Sequence, residues 1–233
     1  TNNIIHIMKN KNILITVAHT DDETLGCGGT ICKHVEEGYK VFVISFTDGV
    51  SSRSLKNNKK IKERHEAAKK VSKYLGFKWI KNLNYPDNQL DKVPLLKIIK
   101  EIEKVKNKIN PSIVYTHNFN DLNIDHRIIA DATLTSFRPL PNSHTTELRT
   151  FEVPSATDFG QIKGRKNFLP NLFIDIKKYW NKKLKALEMY KSEIKRKPHS
   201  RSLEGIKNLA KIRGNQSGIN MAESFEIIRK IIR

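Results

Sequence analysis

Short apolar runs alternate with longer amphipathic stretches along the first 137 positions of the chain. The run NILITVAH at positions 12–19 is rich in β-branched residues and has the length of a buried strand, and the stretch after it has helical character and ends at a glycine. The same order then recurs along the chain. The pattern predicts strands at residues 12–19, 41–47, 77–83 and 112–117, and helices at residues 23–38, 59–75, 94–109 and 125–137.

This alternation of strands and helices predicts an α/β fold. Because strand–helix–strand units build parallel sheets, we expect a Rossmann-like, mostly parallel β-sheet flanked by helices on both faces. In such sheets ligands bind at the carboxyl ends of the strands. The chemistry is therefore expected just after Ala18, Phe46 and Thr116.

The regular alternation of predicted strands and helices ends at Arg138. Two further strands are predicted at residues 148–153 and 172–176, and two helices at residues 178–195 and 200–212. No linker or repeat is visible in the sequence. We therefore expect a single domain, residues 1–233, with a C-terminal α+β elaboration packed on the same sheet.

The chain is strongly basic, with 43 Lys and Arg against 24 Asp and Glu and a net charge of +19. The lysines are dispersed over predicted helices between apolar positions, which is typical of solvated helix faces. No zinc-finger, helix-turn-helix or RNA-binding pattern accompanies them, so no specific nucleic-acid partner is expected. The charge is compatible with a phosphorylated or nucleotide-linked substrate.

Neither a membrane-spanning run nor a secretory signal is visible in the sequence, which favours a cytoplasmic protein with no transmembrane segment. The two cysteines, Cys27 and Cys32, give no disulfide framework and lack CxxC spacing, so they are interpreted as small packing residues. A homo-oligomer is compatible with the sequence.

Two polar segments follow the first and fourth predicted strands. The first, AHTDDETLGCGG at residues 18–29, places an imidazole two and three positions before adjacent carboxylates, and the second, THNFNDLNIDH at residues 116–126, is again rich in imidazole and carboxylate. In a parallel sheet the two turns can face one crevice, with ligands of the type that zinc accepts and a position left open for water. This arrangement indicates metal-assisted hydrolysis, in which a second carboxylate takes the proton of the water.

The first segment also has two other interpretations. His19 and the aspartates could cap the following helix, since an Asp at a helix start accepts from free amides. The glycines Gly26, Gly28 and Gly29 permit close backbone approach, but the acidic cluster and the spacing do not match the G-x-G-x-x-G loop that binds dinucleotides.

The sequence resembles the LmbE-like, or PIG-L, family of metal-dependent deacetylases, whose hallmark is A-H-P-D-D-E before a glycine-rich turn and a later motif that ends in histidine. The matching segments here are AHTDDE at residues 18–23 and NIDH at residues 123–126. Further matches cover most of the chain: FTDGV at residues 46–50 with Arg53, RHEAA at residues 64–68, Leu75-Gly76 and Pro86-Asp87.

The resemblance implies a Zn²⁺ site, with another divalent metal as the alternative, and its residues fall here on His19, Asp22 and His126. It implies Asp21 as the general base and Asp125 as a group that orients a catalytic imidazole. It also implies that Arg53 contacts the substrate, whereas Arg64 and Glu66 are interpreted as structural.

Two departures from the family pattern bear on the mechanism. Thr20 replaces the usual proline, and Asn123 replaces a histidine that is thought to protonate the leaving amine or to stabilise the oxyanion. An asparagine donates a hydrogen bond but cannot deliver a proton. The candidates for a general acid are therefore His117, His199 and the protonated Asp21, and His117 has the alternative of a core position.

The chain also resembles a bacterial subgroup found with surface-polysaccharide and sugar-nucleotide genes, in DLNIDHR at residues 121–127, Arg138-Pro139, FEVPS at residues 151–155, PHSRS at residues 198–202, Arg213-Gly214 and Ala222-Glu223. Asn123, Arg138 and His199 are predicted to contact the substrate together with Arg53, and Arg138, Arg201 and Arg213 are candidates to meet a phosphate. The first functional hypothesis is a zinc-dependent hydrolase that removes the N-acetyl group from an amino sugar, which is free, nucleotide-linked or lipid-linked. The alternatives are a metal-dependent amidase acting on another acyl amide or thiol conjugate, and a non-enzymatic basic nucleic-acid-binding protein.

Overall fold

The protein forms one seven-stranded sheet with helices on both faces in a computed structural model that describes residues 11–52, 58–141, 143–160 and 166–232. The described strands are β1 Asn12–Val17, β2 Lys40–Thr47, β3 Lys78–Tyr85, β4 Ile113–His117, β5 Glu147–Phe151, β6 Leu172–Asp175 and β7 Ala222–Lys230. The described α-helices are α1 Asp22–Glu36, α2 Asn58–Leu75, α3 Leu95–Ile109, α4 Ile124–Ser136, α5 Trp180–Met189 and α6 Leu203–Ser217.

The strand order across the sheet is β3-β2-β1-β4-β5-β7-β6. Strands β1 to β5 are parallel, whereas β7 runs antiparallel to both of its neighbours. The chain runs outward from β1 to β3 and then returns to place β4 beside β1, where Ile13 is in register with Ile113. The loops after β1 and β4 therefore leave the sheet in opposite directions and open a crevice between them.

This architecture confirms the predicted α/β class with its mostly parallel sheet and C-terminal elaboration. The elaboration differs from the predicted one in two ways. Strand β7 had not been predicted, and it lies between β5 and β6. The helix predicted at residues 178–195 spans only Trp180–Met189, and the chain beyond it is irregular until α6 begins at Leu203.

Two apolar layers hold the helices on the sheet. One contains apolar side chains of α1, α2, α5 and α6, and the other contains those of α3 and α4. Helix α3 shows why a helix packs on the sheet. Its buried apolar residues recur at helical spacing and therefore share one face: Ile98, Ile99, Ile102, Val105 and Ile109. The helix ends where Asn110 adopts a left-handed φ of 49° before Pro111.

The glycines of α1 allow the helix to lie close to the sheet. A Cβ atom on Gly26 would lie 2.3 Å from Phe151 Cδ2, and one on Gly29 would lie 2.5 Å from Ile176 Cγ2. These contacts explain the glycine-rich stretch by packing, so no phosphate-binding loop is needed to account for it.

Candidate metal centre and active-site cavity

Three side-chain atoms converge at the crevice between β1 and β4. His19 follows β1, Asp22 is the first residue of α1, and His126 lies in the first turn of α4. The atoms His19 Nδ1, Asp22 Oδ2 and His126 Nε2 form a triangle. Its edges are 3.0 Å from His19 Nδ1 to Asp22 Oδ2, 3.2 Å from His19 Nδ1 to His126 Nε2, and 3.4 Å from His126 Nε2 to Asp22 Oδ2. A tetrahedral zinc with bonds of ~2.0–2.2 Å holds its ligand atoms about 3.3 Å apart, so this triangle fits one face of the tetrahedron.

Further observations support the fit of a metal ion. All three residues are buried, and Asp22 Oδ1 has no hydrogen-bond partner among the described residues. Although burial opposes the charge on Asp22, the neighbouring imidazoles, with His126 contributing most, hold the pKa of this carboxyl well below its ordinary value. A buried ionised carboxylate between two imidazoles has the chemistry of a divalent metal site with one position open.

Carboxylates outside the triangle orient both imidazoles. Asp121 Oδ2 lies 2.8 Å from His126 Nδ1, and Asp87 Oδ1 lies 2.9 Å from His19 Nε2. Such outer carboxylates fix which ring nitrogen faces a metal and raise its basicity. Neither Asp87 nor Asp121 was predicted as a site residue, although both lie in loops beyond the carboxyl ends of strands, where ligands were expected.

Asp125 supports this arrangement from α4. Its Oδ2 atom lies 3.6 Å from His19 Nε2, and its carboxylate accepts hydrogen bonds from the amides of Asn88 at 2.7 Å and Leu90 at 3.0 Å. The side chain thereby ties the loop after β3 to the start of α4. Its contact with His19 is compatible with the orienting role that the resemblance implied.

Asp21 lies beside the triangle and faces the same cavity. Arg64 Nη2 donates to Asp21 Oδ1 at 2.5 Å, whereas Asp21 Oδ2 accepts no hydrogen bond from the described residues and lies 3.5 Å from Arg201 Nη1. Burial raises the pKa of Asp21 to about 6, against the opposing effect of the Arg64 guanidinium. A carboxylate with a pKa near neutrality and an available oxygen is suited to general-base catalysis.

A cavity of about 280 Å³ opens over these groups. Its walls come from the loops after β1, β3, β4 and β5, from helix α2 and from the irregular segment between α5 and α6. The lining residues are His19, Asp21, Arg64, Asp87, Asn88, Asn123, His126, Ser155, Ala156, Glu193, Lys195, His199 and Arg201.

Two of the predicted substrate contacts lie in the cavity wall. Asn123 caps α4, and its side-chain oxygen accepts from the amide of Asp125 at 2.8 Å. His199 comes from the segment before α6, and its Nδ1 accepts from the amide of Arg201 at 3.0 Å. Arg53 lies outside the described residues, so its predicted contact stays a prediction.

His117 and Arg138 are among the predicted site residues that do not line the cavity. His117 is completely buried beneath the triangle, its Nε2 accepts from the amide of Ala18 at 2.8 Å, and its ring stacks on His126 at 3.9 Å. The catalytic role predicted for His117 is therefore corrected to one of support. Arg138 follows the far end of α4, where it lies 3.6 Å from Glu103 Oε1, so it is not placed to contact a substrate.

Arg64 was interpreted as structural, but the structure places it in the cavity wall. Its guanidinium bridges Asp21 and Glu193, with Nη1 lying 2.5 Å from Glu193 Oε1. One signal in the sequence marked the position, because Arg64 is in helical phase with the buried apolar residues Ala68, Val71 and Leu75 of α2. Arg201 and Arg213 were predicted, with Arg138, as candidates to contact a phosphate. Arg201 lines the cavity, whereas the Arg213 guanidinium donates to the Glu152 carboxylate at 2.6 and 2.7 Å.

Comparison with known families matches residues 14–137, more than half of the chain, to PIG-L, described as GlcNAc-PI de-N-acetylase. The chain belongs to the PIG-L family. The matched region contains the three atoms of the triangle and Asp21. Family membership confirms the prediction of a deacetylase, a hydrolase acting on N-acetyl amides, and does not support the non-enzymatic alternative.

Individual PIG-L relatives are similar over most of the chain. A deacetylase of Escherichia coli named YaiS, which is itself uncharacterised, is 29% identical over 79% of this chain and 92% of its own length. The diacetylchitobiose deacetylase of Thermococcus kodakarensis is 27% identical over 94% of this chain and 83% of its own length. The solved N,N'-diacetylchitobiose deacetylase of Pyrococcus horikoshii has the same fold, with a TM-score of 0.76 and 24% identity over 94% of this chain and 84% of that one.

Among the described residues, none of the helices combines the length and the apolar character needed to span a bilayer.

Proposed function

We propose that this PIG-L deacetylase is a zinc-dependent hydrolase that removes the acetyl group from an N-acetylated amino sugar. The observation that carries the proposal is the triangle of His19, Asp22 and His126 beside the Asp21 carboxylate at one end of a polar cavity. The names of the relatives support the substrate class, since two of them act on diacetylchitobiose.

The residues divide the chemistry between them. A zinc ion held by His19, Asp22 and His126 would polarise the acetyl carbonyl and make a water molecule more acidic. Asp21 takes the proton of that water as it attacks the carbonyl carbon. Arg64 holds the Asp21 carboxylate through Oδ1, and Oδ2 accepts no hydrogen bond from the described residues.

The proton that the leaving amine needs also comes from Asp21. Of the three candidate acids, His117 has no access to the cavity. His199 is held at Nδ1 by the amide of Arg201 at 3.0 Å, whereas Asp21 lies directly beside the triangle. Asp21 remains, and it can return to the amine the proton that it took from water when the carbon–nitrogen bond breaks.

The cavity also bears on the substrate. Its volume of about 280 Å³ is small for a ligand site, and its lining is dominated by polar side chains. Such a site suits one sugar ring with its hydroxyl groups. Lys195 and Arg201 lie in the same wall, so a phosphate or diphosphate next to the ring would find cations there.

The first test is the metal content of the purified protein, measured with His19→Ala, His126→Ala and His144→Ala. His144 is an exposed imidazole before β5 and serves as the matched control. We expect about one zinc per chain in the wild type and the control and little in the two ligand variants. No metal in the wild type after incubation with zinc, cobalt or manganese would contradict the proposal.

The second measurement is acetate release from a panel of free, nucleotide-linked and lipid-linked N-acetylated amino sugars. The metal-loaded wild type is expected to release acetate from at least one member, and Asp21→Asn is expected to lose about 10²–10⁴ in kcat while retaining its metal. Cleavage of a larger acyl amide, with no acetate from any sugar, would replace the proposal by an amidase.

A further inference from the structure

The turn that follows β5 holds one residue in an unfavourable backbone conformation at the edge of the cavity. The amide of Ala156 donates to the carbonyl of Val153 at 3.1 Å, which closes a turn with Pro154 and Ser155 at its centre. Ser155 has a φ of 67°, and a positive φ directly after the proline is the geometry of a type II turn. Glycine is the residue that this position favours, because it carries no side chain to be strained.

Serine is an unusual residue for this conformation. Asn88 and Asn110 also have left-handed φ values, 54° and 49°, but asparagine is the kind of side chain that tolerates them. Ser155 thus stands where the backbone alone favours glycine or asparagine. A residue kept in a strained conformation is most often found where its side chain contacts a ligand.

Hydrogen bonds on both sides hold the turn in place. Arg201 Nε donates to the carbonyl of Pro154 at 3.3 Å, and the amide of Leu122 donates to the carbonyl of Ala156 at 3.0 Å. The peptide groups on either side of Ser155 are therefore tied to two other segments of the cavity wall. The strain at Ser155 persists because its surroundings fix the turn.

The hydroxyl of Ser155 has no role within the fold that accounts for the strain. Ser155 is partly buried and lines the active-site cavity, and its hydroxyl makes no hydrogen bond with any of the described residues. A serine hydroxyl can donate one hydrogen bond and accept two. It is therefore suited to pair with the hydroxyl group of a sugar, which has the same capacity.

We propose that Ser155 is a specificity-determining residue that forms a hydrogen bond with one ring hydroxyl of the amino sugar. The proposal rests on the deacetylase function given above. In this division of roles the triangle and Asp21 act on the acetyl group, whereas Ser155 orients the ring that carries it. A site that pairs with a substrate hydroxyl discriminates against sugars that lack this hydroxyl.

The test first separates the hydroxyl from the turn. Ser155→Ala removes the hydroxyl and keeps a Cβ at positive φ, whereas Ser155→Gly removes both and relieves the strain. We expect the Tm of Ser155→Ala to equal that of the wild type and the Tm of Ser155→Gly to rise by about 2–4 °C. Both variants should keep their metal and lose about tenfold in kcat/KM for the best sugar of the panel.

Monodeoxy analogues of that sugar, each lacking one ring hydroxyl, then test the contact itself. The wild type is expected to lose about tenfold in kcat/KM on the analogue that lacks the hydroxyl paired with Ser155. Ser155→Ala should lose nothing further on that analogue, because the hydrogen bond is already absent. On the other analogues the two losses should multiply. Ser143→Ala is the matched control, since Ser143 is a partly buried serine that does not line the cavity.

Each result has a distinct meaning. Wild-type kcat/KM in Ser155→Ala would overturn the proposal while the deacetylase function stands. Losses that multiply on every analogue would also overturn it, since they would show that Ser155 acts through the turn and not through the sugar. If the wild type releases no acetate from any N-acetylated sugar, the proposed function fails and this role fails with it.

Discussion

The Asp21 carboxylate has Arg64 as its nearest cation, and Arg201 lies farther from it. Arg64, Asp21 and Glu193 form a chain of ion pairs whose side chains are at most 5% exposed. Removing one member of a buried pair leaves a charge without a partner and costs more than an exposed pair is worth. The proposed general base is therefore also part of the packing between α2 and the C-terminal segment.

Arg64→Met is expected to change both stability and the pH profile. The free energy of unfolding should fall by about 3–5 kcal/mol, because Asp21 and Glu193 lose the closer of the two guanidinium groups beside them. Arg64 lowers the pKa of Asp21, so its removal raises that pKa above about 6. A base acts when it is deprotonated, so the acid limb of the kcat/KM profile should move to higher pH.

Urea denaturation and the pH dependence of acetate release measure the two effects of Arg64→Met. Arg64→Lys is the matched variant, since it keeps the charge but loses the fork that holds both carboxylates. An acid limb at the wild-type pH in Arg64→Met would show that Asp21 is not the titrating base.

At the scale of elements, helix α1 joins the proposed metal ligands to the C-terminal elaboration. The Glu223 carboxylate of β7 accepts hydrogen bonds from the amides of Gly29 and Thr30 at 2.8 and 2.7 Å, and Lys183 of α5 lies 2.7 Å from it. The late strand β7 thus holds the helix that begins with Asp22. The C-terminal third is part of the support of the metal centre.

Gly26→Ala is expected to destabilise the protein by about 1–3 kcal/mol, because overpacking outweighs the better helix propensity of alanine. The added methyl would meet the buried ring of Phe151, which also packs against His117. Gly28→Ala on the same helix is the control, since its nearest contact is the flexible stem of Lys183 at 3.0 Å. Thermal and urea unfolding of both variants measure the difference, and equal stability of the two would contradict close packing at Gly26.

The extent of sequence-based prediction differs between elements. The first eight strands and helices were located because each carries its own period of apolar residues. Strand β7 was missed, although it pairs with both β5 and β6, and the helix predicted to reach residue 195 ends at Met189. The end of a helix and the partner of a strand depend on contacts from distant parts of the chain, which local periodicity does not contain.

At the scale of the whole molecule, the candidate metal centre joins two halves of the sheet. His19 and Asp22 belong to the turn between β1 and α1, whereas His126 comes from α4 after the chain has returned to β4. An ion bound there links residues more than 100 positions apart. A ligand that binds only the folded chain stabilises it by mass action.

Zinc is therefore expected to raise the Tm of the metal-free wild type. At a free concentration 1,000 times Kd the stabilisation is about 4 kcal/mol, and each kcal/mol corresponds to ~2–4 °C for a chain of this size, which gives a rise of roughly 8–16 °C. Scanning calorimetry with and without a chelator measures this. His126→Ala should show no comparable rise, and an equal rise in that variant would place the zinc elsewhere.

The sequence by itself determined the α/β architecture, the two polar turns and the family, because each of these is carried by residues close together in the chain. Only the tertiary structure decided which side chains share the cavity. It brought in Arg64, Asp87 and Glu193, buried His117 beneath the triangle and left Arg138 at the far end of α4. The physical reason is that the contacts of a side chain depend on how helices and loops from distant segments pack. The periodicity of the local sequence shows only which face of its helix or strand the side chain occupies.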